Sequence, residues 1–391
     1  MPWREVLATE HRERQQRSLW RKRRQLHSPQ SVEVIRDDGG FLNFCSNDYL
    51  GLANHPRLQE AAIAATKTWG TGSGASHLVC GHQENHHLLE EELAEFVGAE
   101  SSLLFSNGYM ANLAFPQSFL GRGDLLIQDK LNHASLIDAA PLCRASFKRY
   151  RHNDLNQLQQ FLEYENYRRT LISVDAVFSM DGDQAAIANL DEIARQHKSV
   201  LFIDDAHGLG VLGPQGRGSY AAAGLAPSGH RLMLGTLGKA LGSFGAFIAG
   251  DRIYIEQLKQ LARTYTYTTA LPPAVAATSR AALEVIQSEP WRQEQLHQNI
   301  RYFRQGATDI GLQLMHSETP IQPLILGEEQ SAIDASHLLE SMGIWVSAIR
   351  PPTVPAGTSR LRITLTAEHK QEHIDQLLAG LDKIRGGHSG R

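Results

Sequence analysis

Cysteine is scarce in this chain: Cys45, Cys80 and Cys143 are widely spaced, odd in number and form no C-x-x-C pair. A chain of this length needs no disulfide staples, and so few thiols suit a reducing, cytoplasmic compartment. Long apolar runs are missing as well. No segment approaches the ~20 residues that span a bilayer, and no apolar core follows the first charges, so a secretory leader is not expected. Neither sign of charge dominates: 38 Lys and Arg stand against 42 Asp and Glu, for a formal net charge of -4. Nucleic acid and anionic membranes are therefore poor candidates for the main partner. Internal repeats are absent.

What is present is ordinary for a globular protein, with 42% hydrophobic and 20% charged residues in 391, enough for two domains. Leu103–Phe105, Leu125–Ile127, Leu171–Val174, Val200–Ile203 and Leu232–Leu234 are short apolar runs that read as buried strands. Between them lie helix-period segments such as Leu88–Val97, stopped by Gly98. The alternation predicts an α/β fold, a large domain with a mostly parallel sheet flanked by helices. Ligands are then expected at the carboxyl ends of its strands. Beyond residue 285 a polar helical stretch, a strand near Ile321–Leu326, a helix near Ala332–Met342, a Pro-rich segment and a strand at Leu361–Thr364 predict a smaller α/β domain. The expected division is an N-terminal helical arm over 1–45, a large domain over 46–285 and a small C-terminal domain over 286–391. Residues 386–391 read as an unstructured tail. The basic run Arg21–Arg24 reads either as a solvated helix face or as an anion site.

Three motifs tempt and fail. Gly70–Ala75 matches a loose dinucleotide-binding pattern, but a helix precedes it where that fingerprint needs a strand. Gly235–Lys239 has two residues between its glycines where a phosphate loop has four, and Ala240 follows the lysine where Ser or Thr is needed. His82, His86 and His87 lie close together without a companion carboxylate or cysteine pattern. They read as a surface or helix-start cluster, and no metal is expected.

Four features at predicted strand ends fit together. Val200–His207 is an apolar strand ending in Asp204, Asp205 and His207; adjacent buried acids are costly unless something cationic faces them. A protonated pyridine nitrogen is such a cation. Lys239 sits in a loop with glycines at 235, 238, 242 and 245, where desolvation would lower its pKa toward that of an amine nucleophile. Phe105–Asn112 places Gly108 and Tyr109 at a helix start, a ready phosphate site. His133 follows another strand, where an imidazole can stack on a flat ring. Each feature alone also has a plain structural reading; together they supply a phosphate cradle, a stacking ring, a pyridinium partner and a reactive lysine.

The chain also carries an ordered set of segments: Asn43-Phe-Cys-Ser-Asn-Asp-Tyr-Leu-Gly51, Gly72-Ser-Gly-Ala-Ser76, Asn132-His-Ala-Ser135, Phe178-Ser-Met-Asp-Gly182, Asp204-Asp-Ala-His207 and Thr236-Leu-Gly-Lys-Ala240. With these it resembles the α-oxoamine synthases, pyridoxal 5'-phosphate (PLP) enzymes of the aspartate-aminotransferase class, fold type I. The resemblance spans about residues 40 to 365. Within the family, the run Ala348–Arg360 with its Arg-Pro-Pro-Thr points to members that condense L-alanine with a pimeloyl thioester, carried on CoA or a carrier protein. The alternative is a relative that joins glycine to acetyl-CoA or succinyl-CoA.

The resemblance implies a role for each matching residue. Lys239 holds the cofactor as a Schiff base and then removes the Cα proton of alanine. Asp204 pairs with the ring nitrogen, His133 stacks on the ring, and His207 with Ser179 tunes the phenolic oxygen. Gly108, Tyr109 and Thr236 bind the phosphate. On the substrate side, Arg362 grips the alanine carboxylate, Thr353 lines the acyl site, Arg21 meets the CoA, and Asn47 and His133 complete the pocket. A homodimer with shared active sites is implied, with Thr266–Thr269 reaching the partner's cofactor. One departure is Phe244 in Gly242-Ser-Phe-Gly245, where relatives have more glycine; it is expected to narrow the loop without abolishing activity.

Overall fold

The computed structural model describes residues 2–163 and 167–388. Its chain falls into two compact units: Asp48–Ser179 with Asp183–Glu294, and Met1–Asn47 with Met180–Gly182 and Gln295–Arg391.

The apolar runs build the core of the first unit. Leu125–Asp129 and Ala246–Gly250 are buried at every position, and Thr170–Asp175 and Val200–Asp204 at all but their first residue, as strands covered on both faces must be. They belong to a seven-stranded sheet in the spatial order Ser101–Phe105, Ala246–Gly250, Arg231–Thr236, Val200–Asp204, Thr170–Asp175, Leu125–Asp129, Ser146–Tyr150. Ala246–Gly250 runs antiparallel to both neighbours; the other pairings are parallel. The five predicted strands are all present, joined by two that the apolar pattern missed, Ser146–Tyr150 and Ala246–Gly250. Side chains from the strands and from the helices Gly108–Phe119, Ala134–Cys143 and Arg252–Leu261 close one core around Phe115, Phe202 and Ile248.

Local signals end these elements as their chemistry requires. Glu84–Val97 begins with a capping box between Gln83 and His86 and stops at Gly98 in the left-handed region, φ 74°. Gly70–Ala75 does follow a helix, Pro56–Trp69. The carboxyl ends of Ser101–Phe105, Leu125–Asp129, Thr170–Asp175, Val200–Asp204 and Arg231–Thr236 share one edge of the sheet. The loops leaving that edge carry the predicted cofactor residues.

The other unit holds two small sheets. Glu33–Arg36 pairs antiparallel with Gly39–Asn43, which pairs parallel with Ile344–Trp345. Ser359–Thr364 lies between Ile321–Gly327 and Ser347–Ile349, antiparallel to both. The helices Glu329–Ser341 and Gln371–His388 belong with them. The N-terminal stretch is not helical throughout. Its helix covers Trp3–Gln16 with no buried residue, the chain then turns to strands, and Arg21–Arg24 lie outside any helix. The expected tail is helical as far as His388, and 389–391 lie outside the described residues. Among the described residues no helix is long and apolar enough to cross a membrane.

Candidate active site

Asp204 ends its strand 7% exposed, a position that a carboxylate tolerates only with donors around it. Ala206 donates its N–H to Oδ1 at 3.0 Å, and Asn112 donates Nδ2–H to Oδ2 at 2.6 Å. The same Asn112 nitrogen donates to Ser135 Oγ at 2.8 Å, and Ser135 Oγ lies 2.7 Å from His133 Nδ1. Because the Ser135 backbone N–H also points to Nδ1, that nitrogen is the acceptor and the serine hydroxyl donates to it. The His133 backbone N–H donates to Asp175 Oδ2 at 2.9 Å. Burial lowers the His133 pKa although Asp204 pulls it up, which keeps the ring neutral. Burial also pushes Asp175 well above the carboxylate range, and the charge of Asp204 adds to that.

Lys239 approaches from the next loop. Its Nζ is 2.8 Å from His207 Nε2, and His207 Nδ1 is 2.6 Å from the Tyr49 hydroxyl. A protonated Lys239 donates to Nε2, which places the ring proton on Nδ1 and makes the Tyr49 oxygen its acceptor. The loop that delivers the lysine is forced by glycine. Gly242 has φ 65°, and a Cβ there would sit 2.4 Å from the Ala53 nitrogen.

Gly108 and Tyr109 open the helix Gly108–Phe119, whose cap Asn107 takes the Met110 N–H on its side chain and the Ala111 N–H on its carbonyl. The Gly108 and Tyr109 amides precede those two, where a helix has donors to spare. A Cβ on Gly108 would meet its nearest protein atom only at 3.8 Å, so the space above this turn is open. The Tyr109 ring stands edge-on to His133 and its hydroxyl donates to the Asp138 carboxylate, which leaves the backbone N–H as its contribution to an anion. Thr236 Oγ1 shapes its own loop, donating to the Gly245 carbonyl at 3.1 Å and accepting from the Gly238 N–H. Ser179 lies in the turn between Phe178 and Asp183, whose backbones are bonded at 3.0 Å.

These groups fit PLP. A carboxylate faces where a pyridine nitrogen would need a charge, a lysine stands beside a histidine, and helix-start amides lie ready for a phosphate. Two buried acceptors of the network, Asn112 Oδ1 and Asp175 Oδ1, have no hydrogen-bond partner among the described residues, so its polar capacity is not consumed by the protein alone.

Of the expected substrate residues, His133 lies in the sheet unit and the other four belong to the other unit, where they form two pairs. Arg362, 7% exposed, sends Nη1 and Nη2 to Asn47 Oδ1, each at 3.2 Å. Arg21 Nη2 donates to Thr353 Oγ1 at 2.9 Å. Four residues of the network carried no role in the sequence reading: Tyr49, Asn112, Ser135 and Asp175. Three of them sit inside motif segments quoted above, and Asp175 closes a strand with an acid as Asp204 does. Position was the available signal; the bonds between distant segments were not.

Known proteins resemble this chain over most of its length. The model of the aminotransferase class I and II family matches residues 40–381. An 8-amino-7-oxononanoate synthase of Saccharophagus degradans is 52% identical over 95% of this chain and 94% of its own. One from Methylococcus capsulatus is 53% identical over 93% and 94%. Among solved structures, a serine palmitoyltransferase of S. paucimobilis with a bound PLP–myriocin aldimine superposes with a TM-score of 0.92 at 27% identity, over 99% of this chain and 98% of that one. An 8-amino-7-oxononanoate synthase from Francisella tularensis gives 0.78 at 29%, over 89% and 99%.

Proposed function

Because the chain belongs to the class I and II aminotransferase family, in the branch of the 8-amino-7-oxononanoate synthases, we propose that it is a PLP-dependent acyltransferase of biotin biosynthesis. It joins the Cα of L-alanine to the carbonyl carbon of a pimeloyl thioester, and the thiol and the alanine carboxylate (as CO2) leave, giving 8-amino-7-oxononanoate. The observation that carries this reading is the Lys239 amine, 2.8 Å from His207 and on the same sheet edge as the Asp204–Asn112–Ser135–His133 chain of hydrogen bonds. The choice of substrate follows the relatives that share about half their residues with this chain.

PLP, held on Lys239 until the alanine amine takes the lysine's place, would supply an electron sink for the pair left on alanine when its Cα proton departs and would leave the Lys239 amine free to act as a base. The protein supplies the rest. Asp204, pinned by Asn112 and the Ala206 amide, holds a proton at the pyridine nitrogen. His133 offers a neutral ring face, kept in place by Ser135 and by the Asp175 carboxyl. His207, braced by Tyr49, and Ser179 serve the phenolic oxygen. The Gly108 and Tyr109 amides and Thr236 receive the phosphate. Lys239 takes the Cα proton, a role in which a positioned base is worth about 10²–10⁴ in rate.

Arg362 is assigned the alanine carboxylate, since a guanidinium meets a carboxylate through two parallel hydrogen bonds, and Asn47 orients it. Arg21 and Thr353 are assigned the acyl donor. The working form is read as a cytoplasmic homodimer in which Thr266–Thr269 of one copy reach the other's cofactor. Leu78, Val79 and Tyr267, 50%, 77% and 73% exposed, support it as apolar surface near that segment, and light scattering on the purified protein checks it.

The test is side-by-side turnover. L-alanine with pimeloyl-CoA should react faster than glycine with acetyl-CoA or succinyl-CoA; the reverse order defeats the substrate assignment. Lys239→Ala should lose the near-visible absorbance that borohydride removes from the parent and should lower turnover about 10³-fold or more. A borohydride-sensitive band surviving in that variant defeats the role of Lys239.

A further inference from the structure

Two of the histidines that read in sequence as a surface or helix-start cluster, His82 and His86, converge in space with His77. After Ser76, whose backbone bridges Thr269, the chain makes one wide π-helical turn over His77–Gly81 before the helix Glu84–Val97 begins. The turn is closed by glycine, since a Cβ on Gly81 would lie 2.0 Å from the Ala75 carbonyl oxygen. It carries His77, releases His82 just beyond its end, and leaves His86 in the first turn of the helix. One nitrogen from each of the three lies within 4.8 Å of the others, and the Nδ1 atoms of His77 and His82 are 2.9 Å apart.

We propose that His77, His82 and His86 form a binding site for one borderline divalent transition-metal ion, with Zn²⁺ as its representative. Two nitrogens on a tetrahedral zinc, each at about 2.0–2.1 Å from the metal, stand about 3.3 Å apart. The His77–His82 pair is near that spacing, and His86 needs a shift on the order of an ångström to join it.

The ligands are already oriented. His86 Nε2–H donates to the Leu271 carbonyl at 2.7 Å, the second-sphere bond that metal-bound histidines usually make, so Nδ1 carries the lone pair. That nitrogen accepts the Gln83 N–H at 3.0 Å, a bond that coordination would exchange for the metal. The His77 ring stacks on Tyr265, with centroids 5.0 Å apart and planes 9° from parallel. Burial lowers the pKa of all three rings, which favours the neutral form that coordinates. His82 is exposed and gives the ion an entry. A cavity of about 560 Å³ lined by His77, His82, Glu90 and Glu91 leaves room for a fourth ligand. An all-imidazole set selects zinc, copper or nickel over the oxygen-seeking magnesium and calcium. None of the three histidines takes part in the Lys239 network, so the ion acts as a pin joining the turn to the helix.

Equilibrium dialysis of chelator-treated holoenzyme against Zn²⁺ tests this, with metal and protein measured in each compartment. The expected result is one Zn²⁺ per chain, saturating in the micromolar range. His82→Gln and His77→Gln should each weaken uptake ten-fold or more. His87→Gln, whose exposed ring pairs with Glu91, should leave it unchanged. His82→Gln removes an exposed side chain, so its melting curve without metal should match the parent's, and only the parent's should rise when Zn²⁺ is added. The proposal is overturned by an absence of saturable uptake, by uptake unchanged in His82→Gln (as a cofactor-bound metal would give), or by equal weakening in His87→Gln.

Discussion

His152 shows how much one side chain beside the site can hold. Its Nδ1 lies 3.1 Å from Asp129 and its Nε2 2.8 Å from Asp183, and its ring meets Phe178 edge-on at 4.4 Å. Burial disfavours the cation, yet the hydrogen bonds to Asp129 and Asp183 outweigh it and raise the pKa to about 10. A group whose pKa rises on folding stabilises fully below its unfolded value, ~6.5, and loses that contribution as pH climbs through the folded value. Thermal stability should therefore fall between about pH 6.5 and 10, and His152→Gln should flatten that part of the curve; equal slopes in the two proteins would refute the clamp. Individual roles were legible in the sequence where a residue type is chemically rare in its setting, as with Lys239 among glycines or Asp204 at the end of an apolar strand. Asn112 and Ser135 are common polar residues. Their importance comes from bonds to Asp204 and His133, which no local pattern encodes.

Elements were legible where burial wrote an apolar run and obscure where it did not. Ser146–Tyr150 is an edge strand with one buried position, and its Lys148 and Arg149 are the charges that keep an edge from pairing further; the same charges hide it from a hydrophobicity pattern. Ala246–Gly250 is wholly buried, but its two large apolar residues, Phe247 and Ile248, stand between alanines and glycines directly after the glycine loop, so the segment reads as that loop's continuation. The loop Leu237–Gly245 brings this strand back antiparallel beside Arg231–Thr236, and the loop presents Lys239. Gly242→Ala puts a Cβ against the Ala53 nitrogen at a positive φ. The substitution should cost about 2 kcal/mol in a denaturant titration and lower cofactor occupancy in parallel. An unchanged midpoint would mean that the loop is not held as described.

At the scale of the molecule, the residues assigned to the cofactor fall in the unit built on the seven-stranded sheet, whereas Arg21, Asn47, Thr353 and Arg362 fall in the other. The carboxyl-edge rule located the first group from sequence; the second came only through family resemblance, since an arginine in a strand has no signature of its own. Binding of the cofactor to the folded state alone adds about 2.7 kcal/mol at a hundred-fold excess over Kd. Stripping PLP should lower the calorimetric transition of its unit by several degrees, and adding it back should restore the transition. The chain changes unit four times, and the briefest visit is Met180–Gly182. Asp181 is bonded at 2.6 Å to Arg360, and the Gly182 carbonyl accepts hydroxyl hydrogens from Ser317 and Thr319. No side chain larger than hydrogen fits at Gly182, 2.3 Å from the Ile321 carbonyl oxygen. Any chimera between homologues that transplants residues 295–391 must carry those three amino acids with it, so the inherited module is a discontinuous text, and recombination breakpoints chosen from linear sequence will cut through it.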